Sequence, residues 1–86
     1  MITITLRLSE SLLCIFRDSG TPKEETIQCR AEPGITVKEI LAGQGINPLL
    51  VPMVSLDTKA GNKKISRDTI LKKDVVLTLY GPLAGG

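Results

Sequence analysis

The sequence predicts an α+β domain: a mixed sheet of four to five strands with one main helix packed on one face. Three observations predict it. Apolar residues alternate with polar ones in Ile2–Leu8, which is the period of a strand, and Asp74–Tyr80 near the other end is a near-continuous apolar run of strand length. Between them, Thr36-Val37-Lys38-Glu39 has the form of a capping box that opens a short helix. The order of elements is strand, strand, helix, strand, short strand, strand, all within 86 residues, so one domain over 1–86 is expected.

Taken in order, Ile2, Ile4, Leu6 and Leu8 alternate with Thr3, Thr5 and Arg7, so the Ile/Leu set faces a core. Ser9–Asp18 admits two readings. Ser9 caps a short helix with Leu12, Leu13 and Phe16 on one face, or the chain stays extended with Leu12, Cys14 and Phe16 aligned. Ser-Glu-Ser ahead of Leu-Leu favours the helical turn. Gly20-Thr21-Pro22-Lys23 reads as a loop. Glu25–Ala31 is the second strand, with Ile27, Cys29 and Ala31 facing inward, and Pro33-Gly34 stops it. After the capping box, Val37, Ile40 and Leu41 form the apolar stripe, and Gly43 and Gly45 end the helix after about two turns. Ile46-Asn47-Pro48 is a connection. Val51–Leu56 is the third strand, with Pro52 at an edge or near its start. Lys59–Asn62 is a turn, and Lys63–Ile65 a very short fourth strand. Arg67–Lys73 is a loop from which Ile70 and Leu71 dip inward. In the last strand Val75, Leu77 and Leu79 face one side, and Val76, Thr78 and Tyr80 the other. Its near-continuous apolar run suggests a central strand covered on much of both faces. The first and last strands are the most apolar, so they belong side by side and parallel at the centre. That arrangement is the β-grasp, the ubiquitin-like fold.

Composition narrows the chemistry. The chain has no His, which excludes a Ser-His-Asp triad, a His general base and any His metal ligand. Two Cys are too few for a four-thiolate zinc site or a disulfide scaffold, and no metal site is expected. A net charge of +2 with one Tyr and one Phe argues against a nucleic-acid partner. No apolar run approaches the ~18 residues of a membrane span, and Met-Ile-Thr-Ile-Thr does not open like a signal peptide. The expected compartment is the cytoplasm, with no membrane partner. No nucleotide-binding loop joins a strand to a helix, so the chain is not expected to bind ATP or any other cofactor itself.

The last strand runs into Gly81-Pro82-Leu83-Ala84-Gly85-Gly86. Pro82 cannot donate to a sheet, so pairing is expected to end there and 82–86 to form a flexible tail. Five residues at ~3.3 Å each would carry a carboxylate on Gly86 roughly 16 Å clear of the sheet. A Gly-Gly end has no side chain to block entry into a narrow channel. A carboxylate is a poor electrophile until it is joined to AMP, and that step implies a partner that uses ATP.

The whole chain resembles the ubiquitin-like sulfur carriers, among them the small subunit of molybdopterin synthase and the sulfur carrier of thiamine biosynthesis. The resemblance lies in Ile2–Leu8, in Gly34-Ile35-Thr36-Val37-Lys38-Glu39-Ile40-Leu41, in Leu71-Lys72-Lys73-Asp74-Val75-Val76-Leu77 and in Tyr80-Gly81-Pro82-Leu83-Ala84-Gly85-Gly86. It implies a carrier rather than an enzyme, or the small subunit of a sulfur-transferring synthase. Gly86 would be adenylated by a partner resembling ubiquitin-activating enzymes, then converted to a thiocarboxylate that donates sulfur. A sulfur donor enzyme and a sulfur-accepting synthase complete the implied partners. Ala84 and Gly85 would thread the channel. Tyr80, Pro82 and Leu83 would touch the partner, Tyr80 being as well suited to covering the sheet. The implied pathway is molybdenum cofactor or thiamine biosynthesis, and the length is closer to the molybdopterin type. Where many members have Pro-Pro before the tail, this chain has Gly81-Pro82.

Two other readings use the same residues. Gly86 could form an isopeptide with target lysines, as in a ubiquitin-like modifier. The domain could also be a regulatory β-grasp interaction module, indifferent to its last residue. Cys14 and Cys29 could form a redox pair or persulfide relay, but in a cytosolic protein they read as free, partly buried thiols. Lys59, Lys63, Lys64, Arg67, Lys72 and Lys73 could steer an acidic partner, but interleaved Asp57, Asp68 and Asp74 make a solvated loop face.

Overall fold

The computed structural model describes residues 1–20 and 22–81. The expected tail over 82–86 lies outside the described residues, as does Thr21 of the expected loop. The elements are β1 (Ile2–Leu8), α1 (Glu10–Asp18), β2 (Thr26–Ala31), β3 (Ile35–Thr36), α2 (Val37–Gly43), a 3₁₀ turn (Pro48–Leu50), β4 (Met53–Thr58), β5 (Gly61–Ile65), β6 (Ile70–Leu71) and β7 (Val75–Tyr80).

Five strands form one mixed sheet in the order β2-β1-β7-β4-β5, and β3 pairs with β6 in a second, two-stranded sheet. At the centre β1 and β7 run parallel, with Ile4 opposite Val75, Leu6 opposite Leu77 and Leu8 opposite Leu79. The other pairs are antiparallel. Paired residues share a face, so β1 and β7 direct Ile4, Leu6, Leu8, Leu77 and Leu79 to the same side, where all are buried. Leu12 and Phe16 of α1 and Val37, Ile40 and Leu41 of α2 complete one core with them. Each such side chain contributes about 1.5–3 kcal/mol by leaving water, which is why the two helices stay on this face. The opposite face is polar at β1, where Thr3, Thr5 and Arg7 alternate with the buried set.

The ends of the elements have local causes. Thr36 and Glu39 form the expected capping box: the Glu39 amide donates to Thr36 Oγ1 at 3.2 Å, and the Thr36 amide donates to Glu39 Oε1 at 3.3 Å. At the start of the parallel pair, the Thr3 amide donates to Asp74 Oδ1 at 2.8 Å, which ties β1 to the chain just ahead of β7.

The structure corrects several expectations. There are two helices rather than one main helix, and the nine-residue α1 is longer than the seven-residue α2. Of the two readings of Ser9–Asp18 the favoured helical one holds, with the helix over Glu10–Asp18 and Ser9 at its N-cap. β2 begins at Thr26 rather than Glu25, although the Glu25 carbonyl still accepts from the Leu8 amide at 2.8 Å, one step past the Arg7–Thr26 pair. The third strand spans Met53–Thr58 instead of Val51–Leu56: Asn47 caps the 3₁₀ turn through Leu49, and Val51 still donates to Pro48, which holds the chain out of the sheet until Pro52 is passed. β5 starts at Gly61, inside the expected turn, since its positive φ lets the strand begin at once. Arg67–Lys73 contains a strand, β6, whose pleat buries Leu71 and turns Ile70 outward at 55% exposure. β7 is central, but its second face is only half covered: Val76, Thr78 and Tyr80 are partly exposed.

Candidate functional site

The end of β7 is where the sequence puts its chemistry, and the described part of that region is the root of the tail, Tyr80 and Gly81. Gly81 is buried. Its surroundings come from α1, which starts immediately after β1. The Ser9 amide donates to the Leu79 carbonyl at 2.9 Å and so carries the β1–β7 ladder one residue past the last paired position. A parallel ladder would next send the Gly81 amide to the Ser9 carbonyl. That carbonyl is already used: it accepts from the Leu12 and Leu13 amides, at 3.1 and 3.0 Å, as the first turn of α1. The Ser9 side chain takes its place, and the Gly81 amide donates to Ser9 Oγ at 3.3 Å. Ser9 Oγ also shares a hydrogen bond with Ser11 Oγ at 3.1 Å. Ser9 therefore makes no side-chain cap on its own helix.

Gly81 is glycine for lack of room, not for its dihedral angle. Gly20, Gly34, Gly45 and Gly61 have positive φ, and Gly81 does not. A Cβ on Gly81 would lie 3.0 Å from the Leu12 nitrogen, 3.1 Å from Leu12 Cα and 3.2 Å from Ser11 Oγ. Carbon contacts are comfortable near 3.5–4.0 Å, so a side chain here would push the tail root off α1.

Tyr80 is placed beside this root, on the face opposite Leu77 and Leu79. It is half-buried, and its register partner on β4 is Met53, 37% exposed. With Thr78, Arg7 and Asp57 it lines a cleft of about 670 Å³ that also reaches Ser9, Glu10, Leu13 and Arg17. At the cleft's floor the Thr78 hydroxyl donates to both Asp57 oxygens at 3.4 Å, and Arg7 Nη1 stands 3.8 Å from Asp57 Oδ2. The charges are mixed, with Arg7 and Arg17 against Glu10, Glu25 and Asp57, so the cleft has no bias toward an anionic ligand. Pro82, Leu83, Ala84, Gly85 and Gly86, the other sequence-predicted site residues, lie outside the described residues.

Several side residues are now placed. Cys14 and Cys29 are both free thiols. Cys29 Sγ donates to the Ile4 carbonyl at 3.5 Å, and burial pushes its thiol above the ordinary 9.0. Little thiolate forms at neutral pH, which suits packing rather than nucleophilic relay. Arg67 is not a free basic group, since its Nη1 donates to the Pro48 carbonyl at 2.7 Å and pins the 3₁₀ turn. Asp57 lies on β4 beside Arg7 and Thr78, half-buried, so it does not belong to a solvated loop face, whereas Asp74 is an exposed loop residue that also accepts from the Thr3 amide.

Sequence reasoning missed Ser9 and Gly81 as a pair. Ser9 carried the signal of a helix cap, and nothing in the chain links it to a residue 72 positions away. Among the described residues no helix is long and apolar enough to cross a membrane. Compared with known families, curated proteins and solved structures, the chain matches none of them.

Proposed function

We propose that the chain is a sulfur carrier of the ubiquitin-like type, with a β-grasp fold and Gly86 as its reacting residue. One observation carries the reading: the central parallel pair of β1 and β7 delivers the chain to Gly81, directly ahead of Pro82-Leu83-Ala84-Gly85-Gly86. The strand order β2-β1-β7-β4-β5, with helices on one face, fits a β-grasp. In this reading a partner enzyme supplies ATP, and a carboxylate oxygen of Gly86 attacks its α-phosphorus. Pyrophosphate leaves and an acyl-adenylate remains. Hydrosulfide delivered by a donor enzyme then attacks the acyl carbon, the bond to AMP breaks and AMP leaves, and the thiocarboxylate that remains passes sulfur to an accepting synthase. The cofactor made would be of molybdopterin or thiamine type. The carrier contributes position, through its anchored root and narrow tail, and Tyr80 is suited to contact with the partner.

The experiment is the intact mass of the protein purified from its own cell, with pyrophosphate exchange by the activating enzyme of that cell. The carrier reading expects a fraction of molecules in which one terminal oxygen is replaced by sulfur. It also expects exchange with the intact chain and none after deletion of Gly86, because Gly85 would then stand ~3.3 Å short of the phosphate. Gly-Gly remnants on lysines of other proteins, with no sulfur exchange, would establish the modifier reading instead. Equal exchange by the intact and shortened chains would sink both.

A further inference from the structure

We infer that Gly81 is a positioning residue: its missing side chain lets the first turn of α1 hold the tail root, and this hold sets where the tail starts. The inference rests on the carrier reading, and it concerns a residue that touches none of the reacting atoms.

Three observations converge on it. First, Gly81 is buried and its φ is one any residue adopts, so the absence of a Cβ answers to space alone. The atoms that would meet a Cβ are mainly backbone of Leu12, which cannot swing aside as a side-chain end could. Second, the root is bonded as well as packed. The Ser9 amide holds Leu79, and Ser9 Oγ accepts from Gly81, so one residue grips the chain at both positions. Third, Ser9 does this instead of capping α1. It stands at the N-cap in extended geometry, yet its side chain caps no backbone amide of the helix and meets α1 only at the Ser11 hydroxyl. A hydroxyl at this position ordinarily satisfies an amide of its own first turn. Here it satisfies the tail root.

For a carrier, the consequence is geometric. The activating partner grips the folded body, while the carboxylate to be activated sits five residues beyond Gly81. The position and direction of the last held residue therefore decide how the carboxylate arrives at the phosphate. A Cβ at 81 needs the root to retreat by about 0.5 Å, the gap between the present approach and comfortable contact. Errors of about 1 Å at a reacting centre already cost on the order of 100-fold in rate. Tyr80 is held in the sheet opposite Met53, so a shift of the root beyond it belongs in kcat and not in KM.

The test compares the intact chain, Gly81→Ala and Ser9→Ala in ATP–pyrophosphate exchange with the activating enzyme of the same cell. Melting and the exchange rate of the Gly81 amide are measured alongside. Gly81→Ala is expected to lower kcat about tenfold or more with little change in KM, at a temperature where the variant stays folded. Ser9→Ala keeps the space and removes the acceptor, together with the hydroxyl partner of Ser11, so a smaller fall in kcat and faster exchange of the Gly81 amide are expected. If the intact chain is activated and both variants match it in kcat, the positioning role is refuted and the carrier reading stands. If KM rises while kcat holds, position 81 acts through docking and the inference is again refuted. If the intact chain itself is not activated, the carrier reading fails and the inference falls with it. Should Gly81→Ala not fold, Ser9→Ala decides alone by the same kcat criterion.

Discussion

The two helices begin in different ways. At α2 the Thr36 hydroxyl accepts from the Glu39 amide and Glu39 reaches back to the Thr36 amide, so both partners serve the helix they start. At α1 the Ser9 hydroxyl caps no helix amide; it meets the Ser11 hydroxyl and takes the amide of Gly81, 72 positions away. Similar residue chemistry at the same helical position thus has a local use in one case and a long-range use in the other. The first stabilises an element. The second joins the start of one helix to the exit of the last strand, which on the carrier reading is the business end of the molecule.

The largest effects should come from beneath the two helices, where they are alike. Leu12 and Leu41 are both fully buried in the common core. Leu12→Ala and Leu41→Ala should each cost about 2–5 kcal/mol in urea unfolding. For a small domain that is a large share of a total near 5–15 kcal/mol. The comparison is sharpened by a second readout. Leu12→Ala should also speed exchange of the Gly81 amide more than it speeds exchange in α2, because the Leu12 backbone is what Gly81 rests on. Leu41→Ala should show the reverse. Equal responses at Gly81 would mean that α1 has no special hold on the tail root.

Much of this architecture was legible, and the reason is local periodicity. β1 alternates without interruption and β7 is a near-continuous apolar run, so their faces and central place follow from burial. The capping box is a four-residue signal whose partners are close in sequence. What escaped was structure made by distant partners. The two-residue ladder of β3 with β6 is too short to have a period, so Ile70 reads as apolar and inward although the pleat turns it out. The start of β4 is delayed by the 3₁₀ turn, which depends on Asn47 and on Arg67 reaching Pro48. At the candidate site, Tyr80 was legible by parity from the buried residues of β7. Gly81 was visible only as a step in a turn, because the reason for a glycine there is the backbone of α1.

A middling effect is expected at the local cap. Thr36→Ala removes the acceptor for the Glu39 amide and should cost about 1 kcal/mol. In a domain of this size that lowers Tm by about 4–8 °C. Calorimetry checks it, and amide exchange at Gly81 should stay as it was. A change at Gly81 would mean that α2 also bears on the tail root, which would dissolve the distinction between the two helix starts.

The smallest effect on stability should come from the other cap, and it is the more telling one. Ser9→Ala removes no backbone bond of α1, since the first-turn amides of Leu12 and Leu13 use the Ser9 carbonyl, which remains. What is lost is the 3.3 Å bond from the Gly81 amide, together with the 3.1 Å hydroxyl pair with Ser11. Long bonds sit at the weak end of the ordinary net contribution, so about 0.5 kcal/mol is expected, roughly half the cost at Thr36. The consequence should be concentrated at one amide. Gly81 should exchange faster relative to its neighbours in β7, while the melting curve barely moves. If Ser9→Ala instead melted as low as Thr36→Ala with Gly81 still protected, the hydroxyl would be serving its own helix in solution after all. The two helix starts would then be alike, and the tail root would be held by packing against Leu12 alone.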